Sequence, residues 1–227
     1  MNRERGVLAP GPLFRDRVDA GHVLAMELER YRGTDTLVLG LPRGGVVVAA
    51  EVARGLEAEL DVIVARKLGA PFSPELAIGA VTADGVRFLN EALIRALGLS
   101  EPYIMAVTRK QLAEAQLRES ALRGNRPRPR IAGRTVILVD DGLATGATMV
   151  AAVRTVRREA PARLIVAVPV GSPEACAALR READEVVCPH QPEEFGGVGL
   201  WYRHFDQTED REVRELLYEL GTSTPHR

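Results

Sequence analysis

Residues 134–149 read RTVILVDDGLATGATM, and the reading of this stretch decides the fold. The run from Thr135 to Val139 is apolar or β-branched, too short for an independent helix, and reads as a buried strand. It ends in two acids, Asp140 and Asp141. A loop of small residues follows, Gly142 to Thr148, and then Met149 to Val153 opens a helix with one apolar face. A strand that feeds a helix N-terminus through such a loop is an anion site, because free backbone N–H groups and the helix dipole both face the ligand.

The residue types narrow the ligand. Gly146 and Ala147 let a phosphate approach the backbone, Thr145 and Thr148 add hydroxyl donors, and the paired carboxylates accept hydrogen bonds from a vicinal diol. A ribose 5-phosphate carries both groups. The loop has no Gly-Lys-Ser/Thr and no Gly-x-Gly-x-x-Gly, so it is neither of those two phosphate-binding motifs. A bland alternative is a well-made turn before a Thr-capped helix. Strand, double acid, Thr-Gly-x-Thr and helix all occur in the required order, which favours the site.

With these residues the chain resembles the type I phosphoribosyltransferases, whose signature is an apolar strand, two acids and a Thr-Gly-x-Thr phosphate loop. The resemblance implies 5-phosphoribosyl-1-diphosphate as substrate, with Mg²⁺ carried by its diphosphate. It implies that Asp140 and Asp141 hold the ribose hydroxyls and reach the metal indirectly. It also implies that Ala144, Thr145, Gly146, Ala147 and Thr148 hold the 5-phosphate. A second strand, Thr36 to Leu41, feeds Pro42-Arg43-Gly44-Gly45 before Val46 to Leu56 resumes as a helix. Alone this is a common Gly-Gly turn. Beside the later loop it looks like the family's pyrophosphate loop, with Arg43 as its catalytic cation, Gly44 and Gly45 as its open backbone, and a cis peptide at Pro42–Arg43.

A third strand, Leu60 to Ala65, ends in Arg66-Lys67. Cations at the carboxyl end of a parallel strand lie where open α/β sheets bind ligands, and the resemblance makes them neutralisers of pyrophosphate. Two short runs around Ala83-Asp84-Gly85 read as a hairpin. A long polar helix then extends to about Arg123, followed by Gly124 to Arg130, which has no packing residues and reads as a mobile basic linker. The family closes a lid in this part of the chain, and Arg109, Lys110 or the linker arginines are candidates for its cation. Further strands at residues 163–170 and 185–188 alternate with helices. The whole implies an α/β, three-layer parallel sheet with helices on both faces, in the manner of the type I phosphoribosyltransferase fold, plus a small C-terminal hood.

That hood holds Phe195, Trp201, Tyr202 and Phe205 within a glycine-bearing segment, in a chain with 4% aromatic residues. The rings either stack on a flat substrate, with Trp201 the candidate, or pack as a flap, and the two readings balance. The economical organisation is a single domain over 1–227, with a core at about 34–171 and a hood and tail at about 172–227. The helix at 14–31 is a candidate companion of the hood, and residues 1–12 read as a flexible leader.

Composition excludes several classes. Thirty basic and 31 acidic residues leave a net charge of −1, so no global field argues for nucleic acid or an anionic membrane. No apolar run approaches the ~20 residues of a membrane helix, and no signal-peptide core is seen, so a cytoplasmic protein is expected. Two cysteines make no disulfide framework, and Cys188-Pro189-His190 lacks the partners for a four-ligand metal set. The expected activity is a glycosyltransferase reaction of nucleotide metabolism, moving the phosphoribosyl group to a nitrogenous acceptor, with a nucleobase as the leading candidate. A homodimer stays open. One departure bears on the acceptor: enzymes for 6-oxopurines carry an acid/base Asp where this chain has Ala144, which argues against hypoxanthine and guanine. The alternative is a non-catalytic or regulatory nucleotide-binding protein of the same fold. A phosphatase on a similar sheet is a weaker third.

Overall fold

The computed structural model describes residues 11–221, so the expected leader lies outside that range up to residue 10. Five strands form a fully parallel sheet: β1 (Thr36–Gly40), β2 (Glu59–Val62), β6 (Thr135–Val139), β7 (Arg163–Ala167) and β8 (Glu185–Val187). Their order is β2-β1-β6-β7-β8, which places the two loop-bearing strands β1 and β6 side by side. Side chains alternate across the sheet because a strand has a period of two. Val38, Ile137, Val139 and Ile165 face one side, with α1 (Arg17–Glu27), α2 (Gly44–Leu56) and α7 (Asp210–Leu220). Leu37, Leu39, Val136, Leu138 and Leu164 face the other, with α5 (Ala147–Arg157) and α6 (Pro173–Leu179). The three layers follow directly from these two apolar faces.

A second sheet is antiparallel, with order β3-β4-β5: β3 (Ala65–Ala70), β4 (Ser73–Thr82) and β5 (Arg87–Leu89). The hairpin around Asp84 is therefore present, with a third strand beside it. This corrects the position of Arg66 and Lys67. The parallel strand stops at Val62, the chain leaves the sheet through Ile63 and Val64, and the two cations belong to β3. Apart from Asp61, residues 60–65 are apolar, and burial continues through Ile63 and Val64 past the end of β2, so the sequence hides the crossing.

The helix α3 (Glu91–Ala96) is capped by the Asn90 side chain, and α4 (Glu101–Arg123) follows. The basic segment after α4 also differs from expectation. Arg126 pairs with the buried Asp61 at 3.3 Å, Arg128 with Asp84 at 2.7 Å, and Arg130 with Asp35 at 3.3 Å. Ile131 is buried beneath them. These arginines strap the segment to carboxylates distant in sequence, which the local composition does not reveal, and they are thereby occupied away from any lid.

The tail folds back as a hood and includes the N-terminal segment. Leu13 and Phe14 donate backbone N–H to the Trp201 carbonyl at 3.0 Å, and the Arg203 N–H returns to the Phe14 carbonyl at 2.9 Å. Phe14, Ala20, Val170, Phe195, Trp201 and Tyr202 form one small core. No helix among the described residues is long and apolar enough to cross a membrane.

Candidate active site

The site grows from the carboxyl ends of β1 and β6. After β1, the Leu41 N–H bonds to the Val139 carbonyl at 2.9 Å, tying the first loop to the end of the central strand. The Pro42–Arg43 peptide is cis, and α2 begins at Gly44. Gly45 touches the acid pair: a Cβ there would lie 2.6 Å from Asp140 Oδ1 and 2.8 Å from Asp140 Cα. Only a glycine permits this approach. The Arg43 guanidinium has no hydrogen bond or ion pair among the described residues, so its charge is available to an anion.

Asp140 and Asp141 occupy the end of β6. Asp140 Oδ1 accepts from the Asp141 N–H at 2.9 Å, which turns the first carboxylate back over its own loop. Burial, and then the charge of Asp141, push the Asp140 carboxyl well above the usual carboxylate range. Asp141 is held from two sides. Arg17 Nε donates to its Oδ2 at 2.8 Å, and the Tyr202 hydroxyl donates to its backbone carbonyl at 2.6 Å. Burial foremost, with the neighbouring Asp141 charge, raises the Tyr202 phenol, keeping it a donor.

The second loop rests on the segment after β7. Leu143 N–H bonds to the Val170 carbonyl at 3.0 Å, Ser172 N–H to the Leu143 carbonyl at 2.8 Å, and Ser172 Oγ to the Ala144 carbonyl at 2.8 Å. These bonds leave Ala144 and Thr145 exposed above the sheet. Gly146 has φ of 75°, a left-handed conformation that glycine adopts at no steric cost, and it turns the chain into α5. No side chain caps that helix. The first four N–H groups of a helix lack intrahelical partners, so those of α5 are available to phosphate.

Thr148 also lines a cleft of about 510 Å³ with Arg66, Lys67, Lys110 and Gln111. Arg66 is braced by Gln111 at 3.1 Å and Glu114 at 2.5 Å, and Lys67 pairs with Glu75. The two cations thus share a cleft with Thr148 of the second loop despite their different strand, and of the lid candidates Lys110 lies there too. Trp201 is placed elsewhere. Its ring is 5% exposed in the hood core and its Nε1 donates to the Phe195 carbonyl at 3.0 Å. The packing alternative describes it.

The residues missed by sequence reasoning are Arg17 and, in its contact role, Tyr202. Arg17 lies 124 positions from Asp141, and nothing local separates it from Arg15. Tyr202 belongs to the aromatic cluster, which is the one signal that the hood reaches the site.

A divalent cation fits this arrangement in a limited way. No group of three His, Cys, Asp or Glu side chains among the described residues forms a metal cage. Two adjacent carboxylates, one with its ionisation opposed by burial and by its neighbour, would welcome a cation that arrives with oxygen ligands of its own.

An open parallel sheet with an acid pair and an uncapped helix at the ends of adjacent strands defines an α/β protein with its candidate site at the carboxyl edge of the sheet. The model of the phosphoribosyl transferase domain matches residues 17–202, and the chain belongs to that family, as a type I member. Two Mycobacterium tuberculosis proteins, from strains CDC 1551 and H37Rv and each named "Putative phosphoribosyl transferase", are 50% identical to it over 205 residues. The alignment covers 90% of this chain and 46% of either relative, so the chain spans about half the length of the curated relatives it matches. The crystal structure of TT1426 from Thermus thermophilus is 45% identical, covers 92% of this chain and 99% of its own, and superposes with a TM-score of 0.77.

Proposed function

We propose that this chain transfers the phosphoribosyl group of 5-phosphoribosyl-1-diphosphate to a nitrogenous acceptor, with a nucleobase the leading candidate. One observation carries the reading: the acid pair Asp140–Asp141 lies between two loops that each end in a helix N-terminus, and Gly45 packs directly on Asp140. Three ligand groups match three features. The N-terminus of α5, with Thr145 and Thr148, takes the 5-phosphate; the carboxylates take the ribose diol; Arg43 and the amides of Gly44 and Gly45 take the diphosphate. Arg66 and Lys67 add positive charge on the cleft side. Mg²⁺ bound to the diphosphate would be met by Asp140 and Asp141, and it supplies charge neutralisation for the leaving group.

The protein's work in such a transfer is positioning and charge stabilisation, since the transition state is oxocarbenium-like and the diphosphate leaves with growing negative charge. Ala144 supplies no proton-transfer group, which favours acceptors other than 6-oxopurines. A second reading, a regulatory protein that binds the diphosphate without turnover, is favoured by one observation: Asp141 is already engaged by Arg17. The two are separated by incubating the protein with labelled 5-phosphoribosyl-1-diphosphate, Mg²⁺ and a panel of nucleobases. Base-dependent release of diphosphate supports transfer. Stoichiometric binding with no release across the panel supports the regulator.

A further inference from the structure

Arg17 stands in the candidate site although it comes from the first turn of α1. Its Nε donates to Asp141 Oδ2 at 2.8 Å and its Nη1 to the Asp206 carbonyl at 2.7 Å. Its guanidinium carbon lies 3.9 Å from the centroid of the Phe205 ring. Two nitrogens and one face are thereby fixed. The third nitrogen, Nη2, has no hydrogen-bond partner among the described residues. Nη2 lies 2.9 Å and Nε 2.5 Å from the point at which Gly44 would carry a Cβ, a point that Asp141 Oδ2 also crowds. Gly44 opens α2 beside Arg43, so the unused donor lies beside the first loop. The side chain is 13% exposed and Nη2 keeps access to solvent, so an anion entering the site can reach it.

We propose that Arg17 contacts the diphosphate of the substrate through Nη2 while Nε keeps Asp141 turned towards the ribose diol. The inference rests on the phosphoribosyl-transfer reading and deepens it. In that reaction the bond from C1 to the diphosphate oxygen breaks and its electron pair stays on the oxygen. The acceptor nitrogen forms the new bond to C1 and gives up its proton to solvent. Charge therefore grows where Nη2 is aimed, and a donor already in position interacts more strongly with the leaving group than with the ground state. A planar guanidinium suits two acceptors at once, one on Asp141 and one on the diphosphate, in a way that a point charge does not.

The test is calorimetric titration of inorganic diphosphate with Mg²⁺, and separately of ribose 5-phosphate, into the wild-type chain and its Arg17→Gln and Arg17→Lys variants. Loss of a charge-assisted contact predicts diphosphate affinity lower by about tenfold or more in Arg17→Gln. Ribose 5-phosphate affinity should fall by clearly less than diphosphate affinity, because only the orienting bond to Asp141 is lost there, and Arg17→Lys should recover part of the diphosphate loss because it keeps the charge. Equal affinities in wild type and Arg17→Gln overturn the inference. So does an equal fall for both ligands with no recovery in Arg17→Lys, which is the signature of a packing role. Should Arg17→Gln not fold, Phe205→Leu decides: Phe205 is 38% exposed, and losing its ring face should weaken diphosphate selectively, while no selective change overturns the inference. A wild-type chain that binds neither ligand brings down the transfer reading itself, and this inference with it.

Discussion

Replacing Gly45 by alanine tests the closeness of the two loops. The added Cβ would lie 2.6 Å from Asp140 Oδ1, 2.8 Å from Asp140 Cα and 3.0 Å from the Val139 carbonyl oxygen. Comfortable contact needs about 3.5–4.0 Å, so α2 and the acid loop must separate by roughly 0.5–1 Å. Two of the three obstructing atoms are backbone, which leaves no side-chain rotation to absorb the clash. Gly45 is helical, so alanine gains ~1 kcal/mol of helix propensity, against about 1–3 kcal/mol for overpacking. Stability should thus change by no more than about 2 kcal/mol. Binding should change more, because separated loops cannot both hold one ligand. Loss of one charge-assisted contact, worth ~1.5–3 kcal/mol, weakens 5-phosphoribosyl-1-diphosphate by roughly tenfold to a hundredfold. Calorimetry with Mg²⁺ present measures this, with thermal unfolding run in parallel. Gly197→Ala is the control, since nothing lies within 4 Å of its added methyl. A folded Gly45→Ala variant that binds as tightly as wild type would show that the two loops do not share a ligand.

Three further outcomes are expected. Arg43→Ala should weaken diphosphate and 5-phosphoribosyl-1-diphosphate by about tenfold or more and ribose 5-phosphate much less, and uniform weakening of all three would remove the loop from the site. Asp61 is 1% exposed and pairs with Arg123 and Arg126, so Asp61→Ala should cost about 3–5 kcal/mol, or roughly 6–20 °C in Tm for a chain of this size. A shift under about 2 °C would show that those arginines find other partners. Burial, and then the charge of Asp141, raise the Asp140 carboxyl in the folded state, so its ionised form opposes folding. Stability is lost as pH rises from the unfolded carboxylate range through the raised native value. Asp140→Asn should therefore unfold at a higher temperature than wild type at pH 8 without Mg²⁺, with the gap closing on acidification; an unchanged gap across pH would contradict this.

The parts of the site legible in the sequence are those written locally. Thr135–Val139 is bounded by Arg134 and the acid pair, and no rival period competes, so the strand, the loop and the helix after it follow in order. Pro42 to Gly45 needs its neighbour: only the adjacency of β1 and β6 turns a Gly-Gly turn into half of a site. The strand that carries Arg66 and Lys67 is hidden in the sequence because Val62, Ile63, Val64 and Ala65 are all apolar across the point where the chain leaves one sheet for the other. Arg126, Arg128 and Arg130 look free in the sequence because their carboxylate partners lie 65, 44 and 95 positions away. Arg17 is invisible for the same reason. Long-range ion pairs leave no periodicity, and a charged residue reads as solvated until a fold brings its partner to it.

The central assignment is the acid pair as the seat of the ribose diol. It is tested by titrating 5-phosphoribosyl-1-diphosphate with Mg²⁺ into the Asp140→Asn, Asp141→Asn double variant. The fold should survive, because the change leaves the strand core untouched and relieves the repulsion at Asp140 while removing the carboxylate of the Arg17 pair. Affinity at least tenfold below wild type in a folded double variant is the expected outcome. Affinity equal to wild type would place the ribose diol somewhere other than the acid pair.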